Sequence, residues 1–279
     1  DATKFIKKIN LNGSGTEEDP YLIGNLNEFN FIRYDLNAYY KLIDDIDLTV
    51  NDSGTKFLTI GEMKVPFSGV LDGNNHTIYN NTIDSFDDSV GIFDSLKNAT
   101  IKNLTIKNVN YIDNKYVGAL AGMVYENVNI DNVNIVNTAN EMTGVYVGGL
   151  IGYISQIEDG NTNISNIDIK AAINAHESNK EIVGGEAGGL IGHLYDSGVN
   201  NISINNITVS DESVISIKTK PLYSASTNEV FNKNIGGLIG KSVIEADNTI
   251  TIDHININCT LNEMLSDSNS THSHKYKFN

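Results

Sequence analysis

The chain has 279 residues, with 19 Lys+Arg against 35 Asp+Glu for a net charge of -16. That balance repels nucleic acid and anionic lipid, and no apolar run reaches the 18 or so residues a membrane helix needs. A hydrophobic fraction of 40% is modest, but the apolar residues recur at short regular intervals, so order is expected everywhere except near the C-terminus. A lone cysteine, Cys259, precludes an internal disulfide and reads as a small core residue rather than a reactive thiol. The chain opens at Asp1 without an initiator Met or an apolar leader, which reads as a mature product or a fragment.

Residues 1–12 alternate loosely, and Gly13 to Pro20 is turn-rich. Tyr21-Leu22-Ile23 predicts a short strand. Leu26, Phe29, Ile32, Arg33 and Leu36 fall at three- and four-residue spacing, predicting an amphipathic helix with Asn25 or Asn27 as N-cap. At the end of a repeat body such a helix serves as a lid rather than a partner-binding element. Residues 1–38 are therefore taken as lead-in and cap, 39–261 as the repeat body and 262–279 as a polar tail. A last turn without a lid suggests that the native chain continues past Asn279.

From Tyr39 the period becomes two. Strands are expected at Tyr40–Ile43, Ile46–Leu48, Phe57–Gly61 and Phe67–Ile78, with Asp72-Gly73-Asn74-Asn75 as strong turn chemistry. Two phrases then alternate. The glycine phrase reads Val147-Gly148-Gly149-Leu150-Ile151-Gly152, again as Ala187-Gly188-Gly189-Leu190-Ile191-Gly192 and Ile235-Gly236-Gly237-Leu238-Ile239-Gly240, more loosely from Val117 through Gly118 to Gly122, and in worn form at Val90-Gly91-Ile92-Phe93. Its glycines suit tight corners and close backbone approach.

The second phrase is Ile-x-Asn-apolar-x-Ile, starting at Ile101, Ile130, Ile164, Ile204 and Ile252, with a degenerate first copy at Ile78. Side chains alternate along a strand, so adjacent apolar residues at a corner imply two short strands meeting at a bend. Asn tolerates the left-handed backbone of a bend, which predicts a ladder of Asn80, Asn103, Asn132, Asn166 and Asn206, with His254 as a substitute on the last rung rather than a ligand. From the first glycine of a phrase to the corner residue the spacing is 12, 14, 18, 18 and 18, whereas from corner to next phrase it is 11, 15, 16, 22 and 30. Insertions leave a solenoid on one face, so 137–146, 171–186 and 211–234 are expected as a graded set of loops and the best binding edge.

The sequence holds little that points to catalytic chemistry. The one His-Glu pair, His176-Glu177, has Lys180 where a zinc helix needs its second His, and His272 and His274 fall in the tail. Outward columns of the corner phrase are mixed and polar. Asp131 and Asp168 are their nearest approach to a carboxylate pair and read as a solvated face. Arg33, the sole arginine, lies in the cap helix, away from any groove. The Asp44, Asp45, Asp47, Asp87 and Asp88 clusters suit Ca²⁺ in ligand type but lack a calcium-loop spacing. No Thr-x-Thr column for ice binding is present, and the glycine phrase repeats too often, without a βαβ unit, to be a dinucleotide fingerprint. No catalytic, metal or cofactor residue is assigned. The residues singled out are structural: Gly118, Gly148, Gly149, Gly188, Gly189, Gly236, Gly237 and the corner residues above.

Gly-Gly-Leu-Ile-Gly after an apolar residue and before an Asn-rich strand pair resembles the GLUG motif of bacterial surface proteins. The segments Gly13–Ile23, Tyr40–Leu48 and Phe67–Ile78 resemble the lead-in of the same proteins. The resemblance implies an all-β, right-handed parallel β-helix in a secreted or wall-attached bacterial protein. Such regions occur in adhesin-like proteins and in the non-catalytic N-terminal part of immunoglobulin A metallo-endopeptidases. It implies a monomeric, non-enzymatic binding module for an unidentified host protein or glycan. The alternatives are an accessory domain that grips antibody for a protease and a carbohydrate-active β-helix enzyme.

Overall fold

The computed structural model describes residues 11–49, 57–83, 88–176, 185–219, 234–245, 248–265 and 271–278. Among them the fold is all-β with one short helical segment. Strands join into two sheets. The larger carries the corner phrases, and a five-stranded one is formed by Phe93–Leu96, Ala121–Val124, Ile151–Gln156, Ile191–Asp196 and Ile239–Ile244.

Each turn of chain lies parallel on the one before it. Tyr21–Ile23 pairs with Tyr39–Leu42, and Tyr39–Lys41 with Val70–Asp72, which pairs with Thr100–Lys102. From there Ile101 faces Ile130, Ile130 faces Ile164, Ile164 faces Ile204 and Ile204 faces Ile252. Ile101, Ile130, Ile164 and Ile204 are fully buried. Stacking of like residues fixes this register, because a one-residue slip would turn every isoleucine, about 1.5–3 kcal/mol of burial each, to the outside.

The helical segment is Leu26–Phe29, continued as a 3₁₀ turn over Asn30–Tyr34. Asn25 caps it by accepting the Glu28 N–H at 3.0 Å, and the Glu28 carboxylate takes the Gly24 N–H at 2.7 Å, a reciprocal pair that settles the choice between Asn25 and Asn27. Phe29 and Ile32 are buried in the common core. Arg33 donates to the Leu58 carbonyl at 2.6 Å and lies over the Phe57 ring. The lead-in is not separate from the body, since Tyr21–Ile23 is itself a paired strand. Phe57–Gly61 forms no strand and contributes a single bridge, Ile60 to Phe93.

Three expectations change. The graded loops are, where described, strands: 137–146 lies inside Asn129–Gly148, 171–176 ends Gly160–His176, and Val214–Thr219 is a strand of its own. They stack Tyr111, Met142, Ile173, Ile215 and Leu261 into a further column, the first four fully buried. Alternations such as Ala171/Ile173/Ala175 and Ile215/Ile217 carried that signal. Residues 177–184 and 220–233 lie outside the described residues. The polar tail is also altered, because the strand from Thr249 runs to Leu265 and Thr271–Phe278 folds back antiparallel on it, with Cys259 opposite Tyr276. In the sequence His272, His274, Tyr276 and Phe278 alternate with Thr271, Ser273, Lys275 and Lys277, a period of two under a polar composition.

The third change concerns Asn80. Its strand pairs Ile78 with Ile106, which sets Asn80 level with Asn108 and leaves Gly73 level with Asn103. The Gly73–His76 turn displaces the first copy of the phrase, so matching the text Ile-x-Asn placed Asn80 in the wrong column.

Candidate functional site

Asn80, Asn103, Asn132, Asn166, Asn206 and His254 all have a left-handed backbone, with φ between 51° and 62°. Within the corner column Asn132 donates to the Asn103 side chain at 2.9 Å and Asn206 to that of Asn166 at 2.7 Å. Asn166 donates to Asp131 instead, at 2.6 Å, and Asn103 to Asp72 at 3.0 Å. Asn80 reaches Asp47 at 3.1 Å. The His254 ring is exposed and pairs with Asp253 at 3.0 Å. A second ladder, which the sequence reading overlooked, joins Asn98, Asn127, Asn161 and Asn201 at the preceding corner, just before each Ile-x-Asn phrase. These residues hold bends and present nothing convergent to a ligand.

At the acidic cluster considered for calcium, one oxygen of each of three carboxylates is engaged within the fold. Asp44 accepts the Asp45 N–H, Asp45 accepts the Thr77 N–H and pairs with His76, and Asp47 accepts Thr49 and Asn80. Asp87 lies outside the described residues. Cys259 is buried, and burial pushes its thiol pKa up, consistent with a core role.

The glycines create the most structured surface feature. A methyl group at Gly118, Gly148, Gly188 or Gly236 would fall on the carbonyl oxygen of Ala121, Ile151, Ile191 or Ile239, three residues further on. At Gly149 and Gly189 it would fall on the carbonyl of Gly189 and Gly237 in the next turn, and at Gly237 on Ile257 Cγ2 at 2.7 Å. The chain doubles back at each phrase with its two arms in backbone contact, and stacked turns extend this bend into a crease. Two residues before the first glycine, and just beyond the last, side chains have room again and meet across the crease.

Tyr116, Tyr146, Glu186 and Asn234 line one arm, and Met123, Tyr153, His193 and Lys241 the other. Tyr116 stacks on Tyr146 with centroids 5.3 Å apart, and Tyr153 on His193 at 4.7 Å. Edge-on contacts join the arms, Tyr116 to Tyr153 at 5.0 Å and Tyr146 to His193 at 5.5 Å. Lys115 Nζ sits 5.0 Å from the Tyr116 ring centre at one end. At the other, the buried Glu186 carboxylate forms a short bond with His193 Nδ1 and takes Lys241 Nζ at 3.1 Å. The Tyr153 hydroxyl is pushed up to about 12, chiefly by burial and then by Tyr116, Tyr146 and Glu186. Half-buried tyrosines are a residue type enriched at contact surfaces. Sequence reading took the glycines as punctuation and missed that they bring the residues on either side of them together.

Elsewhere, an open groove of about 590 Å³ runs across the turns past Thr105, Asn134, Asp168 and Thr208, flanked by Lys107 and Lys170. Its lining holds a single carboxylate, Asp168. No helix among the described residues is long and apolar enough to cross a membrane.

Among curated proteins, halomucin from Haloquadratum walsbyi is 32% identical over 150 residues, a stretch covering 50% of this chain. The match spans 2% of that relative's length. Among solved structures, a protein from Bacteroides ovatus described as an immunoglobulin A1 protease aligns over 89% of this chain and 79% of its own, with 16% identity and a TM-score of 0.46. A structure titled IgA1 Protease aligns over 91% of this chain and 22% of its own, with 15% identity and a TM-score of 0.43. Residues 32–137, which contain Asn103, Tyr116, Gly118 and Asn132, match the family model of the M26 IgA1-specific metallo-endopeptidase N-terminal region, and over that stretch the chain is similar to this family.

Proposed function

We propose that the chain is a non-catalytic, right-handed parallel β-helical module of a secreted or cell-surface bacterial protein of the immunoglobulin A protease type. Its role is to hold a partner while another part of such a protein acts. The match over residues 32–137 to the N-terminal region of these metallo-endopeptidases carries the reading. The parallel register of successive turns supports a β-helix, whose right-handed winding is the sense favoured for parallel crossovers. The partner class follows from that relation as an immunoglobulin chain, and the crease tyrosines, with Lys115 at their end, are the surface we assign to it.

Immobilised immunoglobulin A and the 279-residue chain provide the test by biolayer interferometry. Wild type should bind, and the double variant Lys115→Ala/Tyr116→Ala should bind about tenfold more weakly while remaining folded at the assay temperature, whereas Asp168→Asn should bind like wild type. Absence of wild-type binding, or equal binding by the double variant, would overturn the assignment.

The open groove favours a second reading, a glycan laid across the turns. Hydrolysis through paired carboxylates needs two such groups about 5–9.5 Å apart, so Asp168 in this lining supports binding rather than cleavage.

A further inference from the structure

At the corner between the five-stranded sheet and the next strand, a column of polar side chains replaces the apolar ones. Gln156 and Asp196 are partners in adjacent strands, and Glu126 occupies the same position one turn earlier, since Val124 faces Ile154. Glu126 is 2% exposed and Gln156 and Asp196 are 0% exposed. Glu126 is better supplied: its Oε1 accepts the N–H groups of Ile157 and Glu158 at 2.8 Å each, and its Oε2, though without a hydrogen bond, lies 3.3 Å from the Lys97 ammonium.

Asp196 has no such complement. Its Oδ1 accepts Asn200 Nδ2 at 2.6 Å, while its Oδ2 is buried without a hydrogen-bond donor. Asn200 Oδ1 and Gln156 Oε1 are buried and unpartnered as well. Neither amide can turn round to relieve this. Gln156 uses its nitrogen on the Tyr125 carbonyl at 2.7 Å and on Thr162 Oγ1 at 3.0 Å, and Asn200 uses its own on Asp196. Three oxygens with no hydrogen to share thus lie at one corner of adjacent turns, one of them on a fully buried carboxylate. Burying a carboxylate with one oxygen bare, beside two further bare acceptors, is costly.

An oxygen-only donor set calls for a hard cation, and softer metals would want nitrogen or sulfur. The surroundings are acidic: Glu158 bonds Lys97, Asp159 accepts the Val199 N–H, and Glu245 donates its backbone N–H to the Asp196 carbonyl. Lys97 alone among these side chains is positive. That excess of negative charge favours a divalent ion over a monovalent one. A flexible coordination number and longer, more variable bonds to oxygen favour calcium over magnesium, which demands a near-ideal octahedron. Ile157 and Val199, in the turns beside the corner, are 58% and 72% exposed, so the corner lies next to the surface. We infer that Gln156, Asp196 and Asn200 form a calcium-binding site that ties two adjacent turns of the fold together.

Terbium, a calcium mimic excited through nearby tyrosine, tests this on the 279-residue chain; Tyr125 and Tyr195 adjoin the corner. Wild type should show saturable, calcium-displaceable terbium emission, and calcium at a hundredfold excess over its Kd should raise Tm by about 5 °C relative to chelator. Asp196→Asn should lose both responses, and the surface control Asp168→Asn should keep them. If Asp196→Asn fails to fold, Gln156→Glu decides the matter: a second carboxylate should tighten calcium at least tenfold. Wild type without any calcium response, a response to magnesium or sodium alone, an undiminished response in Asp196→Asn, or unchanged affinity in Gln156→Glu would each overturn the site.

Discussion

At Gly188 a methyl group would occupy the space of the Ile191 carbonyl oxygen, and the next turn's Gly240 N lies 2.6 Å from the same point. Both obstacles are backbone, and backbone in a packed sheet cannot step aside. Gly188→Ala should therefore cost about 3 kcal/mol or more in urea denaturation. Gly24→Ala, where the nearest atom is the Ile43 side chain at 3.2 Å, should cost under about 1 kcal/mol. Equal, small costs at both positions would refute the steric account. The corner asparagines answer a different demand, a positive φ that β-carbon residues avoid and Asn tolerates. Both demands are local, which is why both residue types stand out in the sequence. Asn80 is the exception, since its column is decided by the length of the preceding turn.

The crease is a property of elements. Tyr146 and Tyr153 belong to different strands, and they meet because the glycine bend between them brings the arms together. Their environment has a consequence in alkali. Burial, followed by Tyr116, Tyr146 and Glu186, raises the Tyr153 hydroxyl to about 12, against about 10 in an unfolded chain. The neutral phenol is the form the fold favours, so its contribution is complete below pH 10 and is lost as pH rises from 10 to 12. Urea denaturation across this range should show a shallower loss of stability in Tyr153→Phe than in wild type. Parallel curves would mean that Tyr153 ionises as easily folded as unfolded. The same cross-strand logic hid Glu186, His193 and Lys241 from the sequence: seven and 55 residues separate the contacts of Glu186, and no spacing rule links them.

For the whole molecule, stacked turns imply stability that grows by nearest-neighbour contacts rather than from one centre. Asp131 and Ser165 are partners in adjacent turns, as are Val133 and Ile167. Removing residues 132–165 and joining Asp131 to Asn166 therefore deletes one turn while bringing Gly118 into register with Gly188. The shortened chain should keep a β-type circular dichroism spectrum and a cooperative transition at lower Tm. Loss of folded structure altogether would count against the repeat organisation.

The sequence by itself determined the all-β class, the places where the chain bends, and a family resemblance whose segments Tyr40–Leu48 and Phe67–Ile78 fall inside the matched residues 32–137. Those features depend on residue type at short range: glycine where there is no room for a β-carbon, asparagine where φ is positive, alternation where a strand has two faces. Tertiary structure alone decided which neighbours the lengthening segments stack on where described, that Asn80 joins Asn108, and that three unpartnered oxygens of Gln156, Asp196 and Asn200 share one corner. Each is set by which turn stacks on which, and that register is fixed by the summed burial of side chains tens of residues apart.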